Sequence, residues 1–209
     1  GVKNDRGVVI MANGPRIPDL LERLQGIGSI PHDSDCCVLG EWKSTVGKLQ
    51  NCDNAVYIGG GTGIADGIIL KGKMIDFNAR DDVKRSWELK IPSGETIESC
   101  LSPKGMIHQW NLSQREKVKT LDQLSKNQNA DTIFEKATEA FSFLIQNRTQ
   151  FFKANHAEIE KIVIGQRLGI FMANSKLISL LESNTDIPFD YSIDRRTAAL
   201  GAAWKRICS

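Results

Sequence analysis

The sequence predicts an α/β fold, and three features support this prediction. Two apolar runs, at 55–59 and 67–71, flank a glycine-rich turn and are typical of a β-hairpin. A third β-type run, at 162–164, is followed by a predicted helix over 173–182. Between them, the residues from Asp131 onward place apolar side chains on one face of an amphipathic helix. Strands that alternate with helices indicate an α/β architecture.

The predicted elements before the hairpin are short. Residues 8–11 form an apolar run and predict a buried strand. Residues 18–24 predict a helix with a proline in its first turn, where proline is tolerated. A further helix is expected to end near Trp42, and Ser34 or Asp35 could cap its beginning.

The elements after the hairpin are less regular at first. The segment 76–103 carries many charges and three proline or glycine breaks, and predicts a long, partly irregular insertion that lines a cleft. Asp131 is expected to cap the amphipathic helix, whose apolar face we interpret as core packing. The last predicted helix covers 195–206. Four small residues would permit its close packing: Ala198, Ala199, Gly201 and Ala202.

The composition is that of an ordinary globular protein of one domain or two small ones. The chain has 209 residues, 41% of them hydrophobic and 25% charged, with a formal net charge of +2. Its basic residues are dispersed, which argues against a nucleic-acid surface. No apolar run approaches the length that crosses a bilayer, and the N-terminus lacks a signal-peptide layout. We therefore expect a cytoplasmic protein with no nucleic-acid or membrane partner.

The cysteines predict free thiols rather than disulfides or a metal site. Their number is odd and none shows C-x-x-C spacing, which fits a reducing compartment. No cluster of His and Cys has the spacing of zinc ligands, so we predict no zinc. The five cysteines are Cys36, Cys37, Cys52, Cys100 and Cys208.

The glycine-rich turn of the hairpin is suited to a phosphate. Gly60, Gly61 and Gly63 let the backbone approach a ligand closely, and Thr62 adds a hydroxyl. Successive backbone N–H groups at such a turn form a concavity for an anion. The turn matches neither a Gly-Lys-Ser/Thr phosphate loop nor a dinucleotide fingerprint that opens a helix. A purely structural hairpin, at which two layers pack closely, is the alternative.

Two segments together resemble the sugar kinases and repressors of the ROK family. In that family an Asn-Asp dyad begins a helix that runs to Leu-Gly-Glu, and Asp33 with residues 39–41 falls in this register. A hairpin of the form Gly-Thr-Gly-Ile-Gly-x-Gly-Ile-Ile-x-x-Gly-Lys follows after a short spacer, as residues 61–73 do here. Weaker matches lie at 98–102, 162–165 and 198–203.

The resemblance implies an actin-like, ribonuclease-H-like kinase fold with a cleft between two lobes. The family's first phosphate loop, Asp-x-Gly-x-Thr, has only a loose echo at 5–7. We therefore expect an incomplete first lobe together with the second lobe. Residues 1–40 would be the tail of the first, sugar-side lobe, and 41–209 the second, nucleotide-side lobe. The helix over 195–206 would pack back toward the first lobe.

The resemblance also implies that two turns hold ATP. The contacts to the β- and γ-phosphates would come from Gly60, Gly61, Thr62 and Gly63. Gly165 would lie on the adenosine side. Asp66 stands where the family has a small residue, and a carboxylate there would disfavour a polyphosphate unless it holds Mg²⁺ or points outward.

The sugar side follows from the same resemblance. Asp33 would orient the sugar hydroxyl and accept its proton, although an Asp at a helix start is often only a cap. His32 replaces the family's Asn and could donate one hydrogen bond, or be a simple loop residue. Glu98 and Glu88 are candidate acceptors of sugar hydroxyls, with a solvated surface role as the alternative. Glu88 fits less well, because Ile91 stands where the family has His.

These residues predict a kinase that uses ATP and Mg²⁺ to phosphorylate a hexose hydroxyl. Its expected partners are a sugar and a nucleotide, and a homodimer is a further expectation. The alternative is a non-catalytic sugar-binding or regulatory relative, as in the family's repressors. A third interpretation is an α/β domain with a structural hairpin. Because only one of two phosphate loops is recognisable, we expect this chain alone to bind ATP weakly and not to turn over sugar.

Overall fold

The computed structural model describes residues 2–3, 6–10, 15–24, 31–175, 181 and 185–207. Within them the chain forms a central five-stranded sheet with helices packed on both faces. The predicted α/β architecture is therefore confirmed. No helix in these residues is long and apolar enough to cross a bilayer.

The N-terminal part carries an antiparallel strand pair and a short helix. β1 (Val2–Lys3) pairs with β2 (Val8–Ile10). Val8 also exchanges two backbone hydrogen bonds of 2.9 Å with Ile17, just before α1 (Leu20–Arg23). The predicted strand and helix are both present in shortened form, and the last position of the predicted strand, residue 11, lies outside the described residues.

The central sheet contains the predicted hairpin. Its strands are β3 (Ala55–Gly60), β4 (Ile64–Leu70), β5 (Lys73–Met74), β6 (Lys161–Gly165) and β7 (Phe189–Tyr191). Their order across the sheet is β5-β4-β3-β6-β7. β3 and β4 are antiparallel, whereas β6 lies parallel to both β3 and β7. The hairpin strands reach closer to the turn than predicted, so only residues 61–63 connect them.

The strands send their side chains into two separate cores. In β3, Val56 and Ile58 join the larger core, whereas Ala55 and Tyr57 join the smaller one. Successive residues of a strand point to opposite faces, and a strand covered on both faces is apolar throughout. All six residues of β3 are buried. The hairpin turn therefore projects from a strand that is packed on both sides.

Helices cover both faces of the sheet. They are α2 (Asp33–Lys43), α3 (Ile97–Leu101), α4 (Pro103–Ser113), α5 (Leu121–Ser125), α6 (Asp131–Ala154), α7 (Gln166–Met172) and α8 (Thr197–Ile207). α2 contributes to the smaller core, and α3 to α7 contribute to the larger one. α6 is the predicted amphipathic helix, and its apolar face is confirmed as core packing.

α8 packs directly on α2 through two glycines. A Cβ on Gly40 would lie 1.8 Å from the carbonyl oxygen of Thr197, and a Cβ on Gly201 would lie 1.8 Å from that of Cys36. Both separations are far below van der Waals contact. The predicted close packing of the last helix is thus present at Gly201. Two alanines of that prediction are exposed instead, namely Ala199 and Ala202.

Glu41 anchors the end of α2. Its fully buried carboxylate accepts a 2.9 Å hydrogen bond from the Lys48 backbone N–H and another from the Ser192 hydroxyl. Burial raises the pKa of Glu41, and these hydrogen bonds partly oppose that rise. The Leu-Gly-Glu sequence therefore has a structural role here, since its Gly admits α8 and its Glu ties α2 to two later segments.

The predicted helix caps are wrong. α2 begins at Asp33 with His32 in the cap position, so neither Ser34 nor Asp35 caps it. α6 likewise begins at Asp131, after Ala130 in the cap position. The acidic residues at both helices lie inside the first turn, where a negative charge still complements the helix dipole.

The helix after β6 lies at a different position from the predicted one, and the insertion at 76–103 has a role in the core that was not predicted. The helix that follows β6 is α7, over Gln166–Met172, whereas the predicted helix over 173–182 begins with a turn and continues into residues outside the described part. The insertion at 76–103 is irregular, as predicted, with two single-turn 3-10 helices, Phe77–Ala79 and Ser86–Glu88, before α3. It also supplies buried apolar residues to the larger core: Phe77, Val83, Leu89, Ile91 and Ile97.

Candidate functional site

The turn of the hairpin is a compact glycine-rich loop. β3 ends at Gly60 and β4 begins at Ile64. The Gly61 N–H donates to the carbonyl of Gly63 at 2.9 Å, which closes the turn. The three connecting residues, including Thr62, are half-buried. The predicted phosphate residues therefore share one small loop at the carboxyl end of β3.

The end of β6 lies beside this turn. Gly59 pairs with Gly165, and Gly60 forms a bridge to Gln166. Ligands of open α/β sheets commonly bind outside the carboxyl ends of parallel strands. The structure thus brings Gly165 next to the hairpin, and its place on the adenosine side of a nucleotide stays a prediction.

Tyr57 explains why residue 165 is a glycine. A Cβ at Gly165 would lie 2.4 Å from the Tyr57 hydroxyl oxygen. The phenol is 1% exposed and shares a hydrogen bond with the Cys37 thiol. Burial raises its pKa well above the ordinary value, so the phenol stays protonated at neutral pH. Tyr57 is therefore a neutral support beneath the two strand ends.

Gln166 joins three elements at the turn. Its φ of 60° lies in the left-handed region, which is unusual for a residue other than Gly, Asn or Asp. Its Oε1 lies 3.1 Å from the position of a Cβ on Gly61, and its Nε2 donates to the Cys37 sulfur at 3.6 Å. The side chain of Gln166 therefore connects the start of α7 with the hairpin and with α2.

Asp33 is the first residue of α2, and its side chain is exposed. Its Oδ1 accepts a 3.0 Å hydrogen bond from the Ser34 N–H. Burial raises the pKa of both Cys37 and Tyr57, and the negative charge of Asp33 adds to both rises. Asp33 thus lies close enough to act electrostatically on the groups under the turn. His32 precedes it in the cap position and is half-buried.

The two adjacent thiols of α2 are not nucleophiles. Burial raises the pKa of Cys36 to about 11, and burial also raises that of Cys37. Since the thiolate is the reactive form, both side chains act as small buried groups at neutral pH.

The two candidate glutamates occupy different places. The Glu98 Oε2 accepts a 3.2 Å hydrogen bond from the Ile64 N–H and lies 2.4 Å from the position of a Cβ on Gly63. Glu98 therefore stands at the hairpin turn. Glu88 is exposed, and its carboxylate accepts from the Arg85 N–H at 2.8 Å within its own 3-10 turn. Ile91 is 2% exposed and belongs to the core.

Asp66 is not a surface carboxylate beside the phosphate turn, and the expectation that it would face a polyphosphate or point outward is wrong. It is fully buried, with a 2.7 Å ion pair to the fully buried Arg148 of α6. Its side chain shares a strand face with Ile64 and Ile68, which join the larger core. It therefore does not oppose a ligand at the turn.

Within the part of the chain that the structure describes, no group of three or more His, Cys, Asp or Glu side chains is placed to hold a metal ion. The absence of zinc stays a prediction from the sequence. Glu98 is the carboxylate that this structure places at the turn, and carboxylate oxygen is a ligand type that Mg²⁺ prefers.

Three residues of this region were missed in the sequence. Tyr57 looked like an ordinary strand residue, and Gln166 looked like part of an altered turn. Arg85 lies in the charged insertion, where nothing distinguishes it from its neighbours. Its side chain is buried, and its NH1 atom lies 3.7 Å from the Oδ1 atom of Asp35, a residue of the first turn of α2.

The fold is that of the ROK-family sugar kinases, and the expected resemblance is confirmed at the level of the fold. A ROK hexokinase from Thermus thermophilus superimposes with a TM-score of 0.71 at 17% identity, over 97% of this chain and 75% of that one. A ROK family glucokinase from Streptomyces griseus, in complex with glucose and AMPPNP, gives a TM-score of 0.64 at 13% identity, over 98% and 78%.

The same fold is shared with a regulator. A ROK family transcriptional regulator, a homolog of the E. coli MLC protein, gives a TM-score of 0.68 at 15% identity, over 99% of this chain and 60% of that one. No protein-family model matches the sequence, and no curated protein sequence matches it either. The actin-like α/β fold is thus established, and the activity rests on the site.

Proposed function

We propose that this protein transfers the γ-phosphate of ATP, bound as its Mg²⁺ complex, to a hydroxyl group of a sugar. One observation carries the proposal. Asp33, whose carboxylate is exposed, is the first residue of α2, and this helix is connected through Cys37 and Gln166 to the glycine turn of the hairpin. The turn itself lies next to the end of β6 at Gly165. A base and a phosphate-binding turn on one side of a sheet are the parts that phosphoryl transfer needs.

Each residue has a defined role in this proposal. The sugar hydroxyl attacks the γ-phosphorus and gives its proton to Asp33, while the bond to the β-γ bridging oxygen breaks and ADP leaves with the electron pair. Backbone N–H groups of the turn and the Thr62 hydroxyl would bind phosphate oxygens. Gly165, at the end of β6, would lie on the adenosine side of the nucleotide. His32 would donate to a sugar hydroxyl.

Glu98 would contact the sugar and would also lie next to the phosphates. Its carboxylate lies at the turn and would accept a sugar hydroxyl. A carboxylate next to a polyphosphate is unfavourable unless a cation lies between them. The position of Glu98 therefore favours a nucleotide that enters with Mg²⁺. No such role is supported for Glu88, whose carboxylate is engaged with Arg85.

The proposal is tested by titrating the chain with MgATP in a calorimeter and by following phosphate transfer to a panel of hexoses with enzyme in excess over substrate. We expect weak nucleotide binding and slow formation of one sugar phosphate. Transfer that does not require Mg²⁺, or no transfer to any hexose together with no binding of MgATP, would contradict the proposal.

A regulatory role is the second candidate. The observation in its favour is that the hairpin turn already contacts two side-chain oxygens, from Glu98 and Gln166. These groups would compete with a phosphate, and the same fold occurs in a transcriptional regulator. Tight binding of a hexose without any effect of MgATP would support this second role over the first.

A further inference from the structure

A buried ion pair connects the hairpin with the largest helix. Arg148, in the second half of α6, donates from Nε to Asp66 at 2.9 Å, and its NH2 lies 2.7 Å from the same carboxylate. Both side chains are fully buried. Charges removed from water in this way are held only if their remaining hydrogen-bonding groups also find partners.

One of those partners is the Asn147 side chain of α6, and two others lie in the segment that carries Arg85. The NH2 of Arg148 donates to the carbonyl of Lys84 at 2.7 Å, and Asp66 Oδ1 accepts from the Ser86 N–H at 2.8 Å. The backbone on either side of Arg85 is therefore attached to the buried pair. The Arg85 N–H is itself bonded to Glu88 at 2.8 Å. The main chain at residue 85 is thus held at three consecutive positions.

The Arg85 side chain leads from this anchored backbone to α2. Its guanidinium lies over the rings of Phe77 and Trp87, with centroid distances of 4.7 Å and 5.2 Å. The side chain is 6% exposed, and its NH1 lies 3.7 Å from Asp35 Oδ1 without forming a hydrogen bond. The aromatic rings hold the cation in place, and the charge acts on the first turn of α2.

We propose that Arg85 is a positioning residue that fixes the first turn of α2, and with it Asp33, relative to the phosphate turn. Asp35 and Asp33 lie two residues apart in that turn. β4 carries both the hairpin turn and Asp66, so a continuous chain of contacts joins the turn to the helix that bears the base. This inference deepens the proposed phosphoryl transfer and rests on it for its catalytic meaning.

The test compares Arg85→Met and Arg85→Lys with Arg80→Met in the full chain. Arg80 is a suitable control because it is an arginine of the same insertion, with an exposed partner, Asp82, and an aromatic contact to Phe151. Amide hydrogen exchange, followed by mass spectrometry, reports on α2, the hairpin and β6 separately. Single-turnover transfer assays give the rate constant and the sugar concentration dependence.

We expect Arg85→Met to speed exchange in the first turn of α2 by about tenfold or more and to leave β6 unchanged. Its transfer rate should fall on the order of 10- to 100-fold, with little change in sugar affinity, because small displacements of a reacting group have effects of this size. Arg85→Lys should recover part of both losses. Asp35→Asn should have a much smaller effect in the Arg85→Met background than in the wild type.

Three results would overturn the proposal. Unchanged exchange in α2 would show that Arg85 does not hold the helix, and faster exchange throughout the chain would show a general structural role. Faster exchange confined to α2, without a slower phosphate transfer, would show that the position of the first turn of α2 does not affect catalysis. If the wild type transfers no phosphate, the proposed function fails, and the exchange data alone then decide whether Arg85 positions α2.

Discussion

Asp66 and Arg148 are each fully buried, and each supplies the charge that the other needs. The pair also satisfies backbone groups at Lys84 and Ser86. A buried guanidinium left without its carboxylate would keep its desolvation cost and lose its compensation. Removal of one partner alone should therefore destabilise the protein, because it leaves the other charge buried without compensation.

We expect Asp66→Asn and Arg148→Met each to lower the free energy of unfolding by about 3–5 kcal/mol. The double variant should lose less than the sum of the two, because it removes both charges together. Urea denaturation of the four proteins measures these differences. Asp82→Asn, which removes an exposed partner of Arg80, is the control and should change little. Additive losses in the double variant would show that the two residues do not act as a pair.

Glu41 should make stability depend on pH. Burial raises its pKa in the folded state above the ordinary value of 4.5, so the folded protein holds this proton more tightly than the unfolded chain. The stability contributed by the protonated form is complete below about pH 4.5 and is lost as the pH rises through the folded-state pKa. The side chain of Glu41→Gln does not titrate, so this variant should not lose stability in this way as the pH rises.

The measurement is the free energy of unfolding of wild type and Glu41→Gln at several pH values between about 4 and 8. The wild type should lose stability relative to the variant as the pH rises. A constant difference, or a relative gain by the wild type, would show that burial of Glu41 does not raise its pKa.

The sequence contained part of the evidence for these residues. Asp66 alternates with Ile64 and Ile68, a pattern typical of a core face, although we expected its carboxylate beside the phosphates. Its partner stands 82 positions later on a helix, and strand periodicity carries no information about such a pairing. The prediction that Asp33 is the base rests on its register with the hairpin, and it stays a prediction. The positive φ of Gln166 was not predictable, because most residues adopting that conformation are glycines or asparagines.

At the level of elements, the helix that bears Asp33 packs on α8 as well as on the sheet. Its close approach depends on Gly40 and Gly201, at which a Cβ would overlap backbone atoms of the facing helix. Backbone cannot move aside as a flexible side chain can. The orientation of α2 is therefore sensitive to one methyl group at either glycine.

We expect Gly201→Ala to lower the free energy of unfolding by about 1–3 kcal/mol, the usual cost of an overpacked contact. The loss should occur even though alanine favours the helix itself. Ala199→Ser, at an exposed position of the same helix, is the control. Equal denaturation midpoints for Gly201→Ala and the wild type would mean that the two helices lie farther apart than described.

The hairpin and α6 were predictable because each has a strong local pattern, with glycines between two apolar runs in one case and helical periodicity in the other. α7 was missed for a physical reason. The last residue of β6, Gly165, and the first residue of α7, Gln166, resemble a turn, and the strand passes directly into the helix. The charged insertion gave no periodicity, although several of its residues are in the core.

For the molecule as a whole, the fold places the hairpin turn, the end of β6 and the start of α2 on one side of the sheet. The sequence has no His and Cys cluster with the spacing of zinc ligands. We expect the purified protein to contain no stoichiometric zinc and its melting temperature to be unchanged by a chelator. Elemental analysis tests the first statement and thermal melting the second. About one zinc per chain, together with a lower melting temperature after chelation, would contradict both.

The division into lobes at residue 40 stays a prediction, and so do the adenosine side of the site and a homodimer. The proposed role of Asp33, as the base in phosphate transfer at a site formed by the hairpin turn, does not depend on them.

The most direct test is the single-turnover rate of phosphate transfer from MgATP to the sugar that the wild type uses, compared with that of Asp33→Ala. Asp81→Ala, which removes an exposed carboxylate from the insertion, is the control. We predict that Asp33→Ala lowers the rate by about 10²- to 10⁴-fold, the usual contribution of a general base, with an unchanged melting temperature. A near-normal rate in Asp33→Ala, or an equal loss in Asp81→Ala, would contradict the role of Asp33.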